Sequence, residues 1–230
     1  MTDYFFDKKM RALETIYRWY DEIAWSLDSW ACEVGCSTCC TSLVISTTLE
    51  IAYAWESSPA LQEKQSAISS NEFSLPPLTL TTNERASLCI QKKAFEEDPM
   101  PSIGLPCPLL ADERCVCYEA RPLMCRMMFS TTRCERTGQA EMPPLLLSLN
   151  TVCLQLVEHL DQRGCSGYML HLLPRFFDPN FVEACKAGSA QFDTARTRPN
   201  RPNPGFLLPP EDRKQIQSWL QNLHERLRHL

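Results

Sequence analysis

Two stretches of this sequence concentrate thiols at spacings that suit metal ligation. The first is Cys32-Glu-Val-Gly-Cys36-Ser-Thr-Cys39-Cys40, and the second runs through Cys107-Pro-Leu-Leu, Cys115-Val-Cys117 and Arg121-Pro-Leu-Met-Cys125-Arg126. A loop with two to four residues between cysteines turns both sulfurs onto one ion, which is why structural zinc and iron–sulfur centres share such spacings. Cys39 and Cys40 are adjacent. On an extended backbone they point to opposite sides, so that one of them serves a second metal or packs as a small apolar side chain. Cys125 falls in the first turn of a helix opened by Pro122, where unpaired N–H groups and the helix dipole lower a thiol's pKa. Arg121 and Arg126 beside it would offset the charge of a four-thiolate site and donate hydrogen bonds to sulfur. Cys115 and Cys117 are two residues apart and share a face of an extended backbone, but Cys117 is expected to fill an apolar pocket rather than bind metal. The histidines (His159, His171, His224 and His229) lie outside both clusters in sequence. All candidate ligands are therefore sulfur, and they exceed one tetrahedral site. The preference goes to an iron–sulfur cluster, while zinc in four-cysteine sites fits the same residues.

The rest of the composition narrows the class. Thirteen cysteines cannot all pair in disulfides within one chain. The first residues lack a basic start followed by a continuous apolar run, and no stretch is apolar enough to span a membrane. A cytoplasmic chain is expected, in a reducing compartment where cysteine serves metal or redox chemistry. The net charge is −5, with the basic residues dispersed, so nucleic acid is not the expected partner. Only 7 glycines occur and no glycine-rich phosphate loop, which argues against Rossmann and P-loop enzymes. No catalytic residue is assigned, and whether the chain is an enzyme stays open. Asp112 and Glu113, beside Cys115, read as an exposed loop tip. Cys89, Cys153, Cys165 and Cys185 read as packed or surface thiols, and Cys134 is open as a ligand.

The elements that must position the thiols are mostly helical. Met10, Leu13, Tyr17, Tyr20, Ile23, Leu27 and Trp30 recur at helical spacing and predict a helix over 3–31 that runs into Cys32, with Gly35 supplying its stop. Residues 42–46 form a short strand, and Thr47 with Glu50 forms a capping box for a helix over 48–57. Residues 58–80 are a loop, 81–97 a helix, and 98–118 a proline-rich loop carrying the second cluster. Further helices are expected from Pro122, over 144–162 and over 166–177. The fold class is mainly α, with helices packed around a loop-built cysteine-rich metal site and little sheet. Residues 1–193 form the metal-binding domain and 194–210 a proline-rich linker. Residues 211–230 form an amphipathic helix, dispensable for metal binding and suited to a protein partner's groove.

Taken together, these residues resemble the YkgJ-like cysteine-cluster family, a domain described as zinc- or iron-chelating. Its pattern is C-x2-3-C-x2-C-C, a short strand and a helix opening near an acidic residue, then C-P-[FL]-L, C-x-[IV]-Y, R-P and C-R. The chain supplies Cys36-x2-Cys39-Cys40 with Cys32 upstream, Glu50 after the strand, Cys107-Pro108-Leu109-Leu110, Cys115, Tyr118, Arg121-Pro122 and Cys125-Arg126. It departs from the pattern at Cys117, where the family carries an aliphatic residue. The resemblance implies metal ligands at Cys32, Cys36, Cys39, Cys40, Cys107, Cys115 and Cys125. One branch of the family is similar to flagellin lysine N-methylases, which gives protein-lysine methylation as the alternative function. Cys32-x3-Cys36-x2-Cys39 also equals the radical SAM spacing, but that motif follows the first strand of a βα barrel, whereas a long helix precedes it here.

Overall fold

The computed structural model describes residues 2–33, 35–69, 75–96 and 104–230. Leu13, Tyr17, Tyr20 and Ala24 lie three and four residues apart, and helix α1 (Thr2–Leu27) turns all four into the core. The helix ends before the thiols, not at them. Trp30 folds back instead, donating its indole N–H to the Ala24 carbonyl at 3.1 Å and packing on Phe129. Strand β1 (Ile45–Thr47) leads into α2 (Thr48–Ser57) through the expected Thr47–Glu50 capping box. Two short helices, α3 (Pro59–Gln62) and α4 (Gln65–Ser69), lie in the stretch expected to be loop. A second capping box, Thr81 with Glu84, opens α5 (Thr82–Ile90). The helix expected over 81–97 thus ends at Ile90; its residue 97, and residues 70–74 and 98–103 of the expected loops, lie outside the described residues.

A small hairpin of β2 (Leu110–Ala111) and β3 (Arg114–Cys115) comes next, with Asp112 and Glu113 at its exposed, positive-φ tip. Then come α6 (Leu123–Arg126), α7 (Cys134–Thr137) and α8 (Pro144–Leu160). Strand β4 (Cys165–Tyr168), α9 (Met169–Leu172), α10 (Pro179–Ala187), β5 (Arg198–Pro199) and α11 (Arg213–Arg228) complete the chain. The helix expected over 166–177 thus begins as a strand. β4 pairs antiparallel with both β1 and β5, placing Ile45 opposite Tyr168 and Ser166 opposite Arg198. Partners distant in sequence claim these backbone groups, and a local pattern cannot register them. The fold is mainly α with little sheet. Among the described residues no helix is long and apolar enough to cross a membrane.

The stretch 194–210 is not a free linker. Thr197 and Asn200 are buried, and the Asn200 side chain accepts from the Ser166 hydroxyl at 2.6 Å and donates to the Asp161 carboxylate at 3.0 Å. The apolar face of α11 is also spoken for. Ile216 and Leu223 are buried in one cluster with α1 and α8, and Arg226 pairs with Glu22 of α1 at 2.8 Å. Proline-rich sequence specified an extended backbone, but side chains of the core decide where that backbone lies.

Asp161 gives this region a pH dependence. Burial raises its pKa to about 7, with Lys9 and the N–H of Leu49 pulling the other way. The unfolded chain holds the same proton only below about pH 4. Between those values the folded state binds more protons, so stability falls as pH rises from about 4 to 7 and levels off at higher pH. Asp161→Asn should remove this slope. In urea titrations across pH 4 to 8, the difference between variant and wild type should move in the variant's favour by roughly 2–4 kcal/mol. A constant difference would refute the assignment.

Candidate metal centre

The cysteine clusters are joined by backbone hydrogen bonds between loops. At its downstream end the first cluster is laid against residues 104–107. Ser42 N–H donates to Leu105 O at 2.8 Å, Cys107 N–H to Cys40 O at 3.0 Å, and Leu105 N–H to the Ser42 hydroxyl at 3.1 Å. Gly104 permits the approach, since a Cβ there would lie 2.7 Å from the Thr41 Cβ. At its upstream end the cluster is laid against residues 128–133. Ala31 N–H donates to Ser130 O at 2.8 Å, the Cys32 thiol lies 3.9 Å from Met128 O, and Glu33 pairs with Arg133. Between these ends the chain turns at Gly35, at a φ of +91° that disfavours any side chain. Cys40 N–H then closes a further turn onto Ser37 O at 2.8 Å.

The second cluster is folded back on itself. Leu110 N–H donates to Cys107 O at 3.2 Å and Val116 N–H to Leu109 O at 3.0 Å, so the β2–β3 hairpin returns Cys115 toward Cys107. Glu50 positions the segment bearing Cys125. Its carboxylate, buried behind α2, accepts from Leu123 N–H at 2.7 Å, from the Tyr17 hydroxyl at 2.9 Å and from Thr47 N–H at 2.7 Å. The capping box was legible in the sequence. That the same carboxylate also caps α6, across the core, was not.

Three expectations about local chemistry change. The backbone at Cys39 and Cys40 is turned, not extended, and the two thiols interact. That contact raises Cys39 and lowers Cys40. Cys125 is not activated by a helix terminus. α6 is a single turn with Pro122 at its N-cap, too short for a useful dipole, and burial holds the Cys125 thiol well above its ordinary range. Arg126 does not face sulfur. Its guanidinium pairs with Asp21 at 2.6 Å, donates to the carbonyls of Arg121 and Glu119, and stacks on the Tyr17 ring. Arg121, stacked on Tyr118, is the cation that favours thiolate at Cys39, Cys115 and Cys125. Cys117 lies where the chain leaves the strand for a 3₁₀ turn (Tyr118–Ala120). It is buried in an apolar cluster with Leu109 and Ala120, yet its sulfur is 3.6 Å from that of Cys115. This contact is the main cause holding Cys115 down at about 7 and Cys117 up. Burial raises Cys107 to about 11.

Among the isolated cysteines, Cys153 and Cys165 are buried in the core, Cys185 is half-buried and Cys89 is exposed. Cys134 opens α7, directly after the Arg133 that pairs with Glu33, and its thiol is one of those acting on Cys32. The structure therefore brings all seven expected ligands, and Cys134, onto one set of interlocked loops. Among the described residues no three Cys, His, Asp or Glu side chains are grouped closely enough, as placed, to hold an ion. No family model, no curated protein and no solved structure matches the chain.

Proposed function

We propose that the chain is a cysteine-ligated metal protein in which Cys32, Cys36, Cys39, Cys40, Cys107, Cys115 and Cys125 hold an iron–sulfur cluster or zinc. The observation that carries this reading is the bond from Cys107 N–H to Cys40 O, which ties together two thiol clusters far apart in sequence. The donor chemistry fits. The candidate side chains on these loops are thiols, Arg121 supplies a compensating cation, and rotation about side-chain bonds moves each sulfur without disturbing the bonded loops. An iron–sulfur cluster would supply electron transfer, and zinc a structural tie between the loops. Seven thiols on one loop set favour the iron–sulfur choice, as they do in the sequence.

Anaerobic purification followed by metal and sulfide analysis tests the reading. Metal with equivalent sulfide and visible absorption indicates a cluster; colourless protein with metal and no sulfide indicates zinc. Cys36→Ser, Cys125→Ser and Cys115→Val should each lower metal content, because a site short of one thiolate loses affinity. Cys185→Ser should keep it. Cys117→Val should keep it too, since valine fills the same apolar pocket. Loss of metal in the Cys117 variant together with retention in Cys115→Val would reverse those two roles.

A further inference from the structure

We propose that the cavity between α1, α2 and α10 binds a small monocarboxylate with an apolar body, its head group held by Lys9 and Arg163. The site is independent of the metal reading, since none of the seven thiols assigned to metal lines it.

The cavity has a volume of about 280 Å³, near the lower bound of about 300 Å³ for small-molecule sites. Its walls are mostly apolar. Phe5 and Phe6 come from the start of α1, Leu49 and Ala52 from α2, and Phe192 from the segment after α10. Phe192 stands edge-on to Phe181 with ring centres 6.0 Å apart, and Phe6 packs against both core clusters. These two walls are anchored by the core, so little ordering remains for a ligand to impose.

The head group is read from the charges. Lys9, Arg163 and Lys186 border the same space. Lys186 is committed elsewhere, to Glu56 at 3.3 Å and to Glu183 at 3.6 Å. The Lys9 and Arg163 side chains have no ion pair or hydrogen bond among the described residues. Gly188, at a φ of +68°, ends α10 beside the Arg163 guanidinium, and a Cβ there would lie 3.8 Å from its Nη1. Burial lowers the Lys9 pKa, with Asp161 opposing and Arg163 adding to the effect. Two cations on one apolar cavity repel each other, and an anion shared between them relieves both.

Asp161 sets the limit on that anion. Its carboxyl reaches the cavity because Gly164 has no side chain, and a Cβ at Gly164 would collide with it. Oδ2 accepts from Leu49 N–H at 3.1 Å and from the Asn200 amide at 3.0 Å. A ligand with a second negative charge would be repelled by this acid, whereas a single charge is balanced by the two cations. A cationic ligand would be repelled by Lys9 and Arg163. The fork of an arginine also matches the two oxygens of a carboxylate.

Isothermal titration calorimetry of the full-length protein at about pH 8 tests the proposal. There the Asp161 carboxyl, with a pKa of about 7, is ionised, and a phosphate monoester carries close to two charges. One octanoate per chain is expected, with affinity rising roughly fourfold per CH₂ group from butyrate to octanoate. Octanol, octylamine and octyl phosphate should each bind about tenfold more weakly or worse. Lys9→Met and Arg163→Gln should each weaken octanoate by about tenfold or more, and Ala190→Phe, which puts a ring into the cavity, should abolish binding. Octanol as tight as octanoate would overturn the role of the cations. Octylamine tighter than octanoate would overturn it in favour of Asp161, and tighter octyl phosphate would overturn the single-charge argument. No binding of any probe, or octanoate affinity unchanged in both charge variants, would remove the site. The four-ligand comparison needs only wild type, so it decides the matter where a variant does not fold.

Discussion

Truncation after Asp193 should yield a chain that no longer folds. The deletion removes strand β5, the Asn200 side chain that bonds Ser166 and Asp161, and all of α11. Ile216 and Leu223 leave the core outright, and Phe206, Leu208, Trp219, Leu220 and Leu227 leave its margin. Burial of a large apolar side chain contributes about 1.5–3 kcal/mol when complete. These seven together reach on the order of 10 kcal/mol, against a total stability of about 5–15 kcal/mol for a typical domain. The deletion also exposes the apolar face of α1, which favours aggregation. Circular dichroism and urea unfolding of the 1–193 chain check this. A soluble fragment with cooperative unfolding and wild-type metal content would show that α11 is an appendage, as the sequence by itself suggests.

The next largest effect is expected at Arg126. Its guanidinium is buried and its donors go to the Asp21 carboxylate and to the carbonyls of Arg121 and Glu119, while its face covers Tyr17. Arg126→Ala leaves a partly buried carboxylate and two carbonyls without that partner. Breaking a buried pair from one side costs about 3–5 kcal/mol. Arg126→Lys should recover little, because a point charge cannot serve three acceptors set around a planar fork. The consequence reaches the thiols, since Arg126 ties the segment after Cys125 to α1. Urea midpoints for both variants, read beside metal content, decide it. A loss below about 1 kcal/mol in Arg126→Ala would mean that water replaces the guanidinium without strain, and would remove this positioning role.

The predominance of helix was legible because amphipathic spacing is a local property. Leu13, Tyr17 and Tyr20 repeat at the period of a helix whatever they touch, and the Thr47–Glu50 box closes within one turn. The cysteine clusters were legible for the same reason, their spacing being short. Features set by long-range pairing were not legible. Nothing in Cys165-Ser-Gly-Tyr168 records that β1 and β5 will bracket it, so the local pattern reads as the start of a helix where the chain forms a strand. Nor does the proline-rich run at 194–210 state that Asn200 will find Asp161. The sequence by itself determined which residues are chemically able to bind metal: soft, closely spaced thiols with no histidine among them. Tertiary structure alone decided which of the loops that carry them meet, through the bonds from Cys107 to Cys40 and from Ala31 to Ser130. It also decided which arginine faces sulfur. Arg121 and Arg126 are equivalent as charges beside Cys125, and the half-buried Asp21 and the buried Tyr17, contributed by a distant helix, draw one of them away.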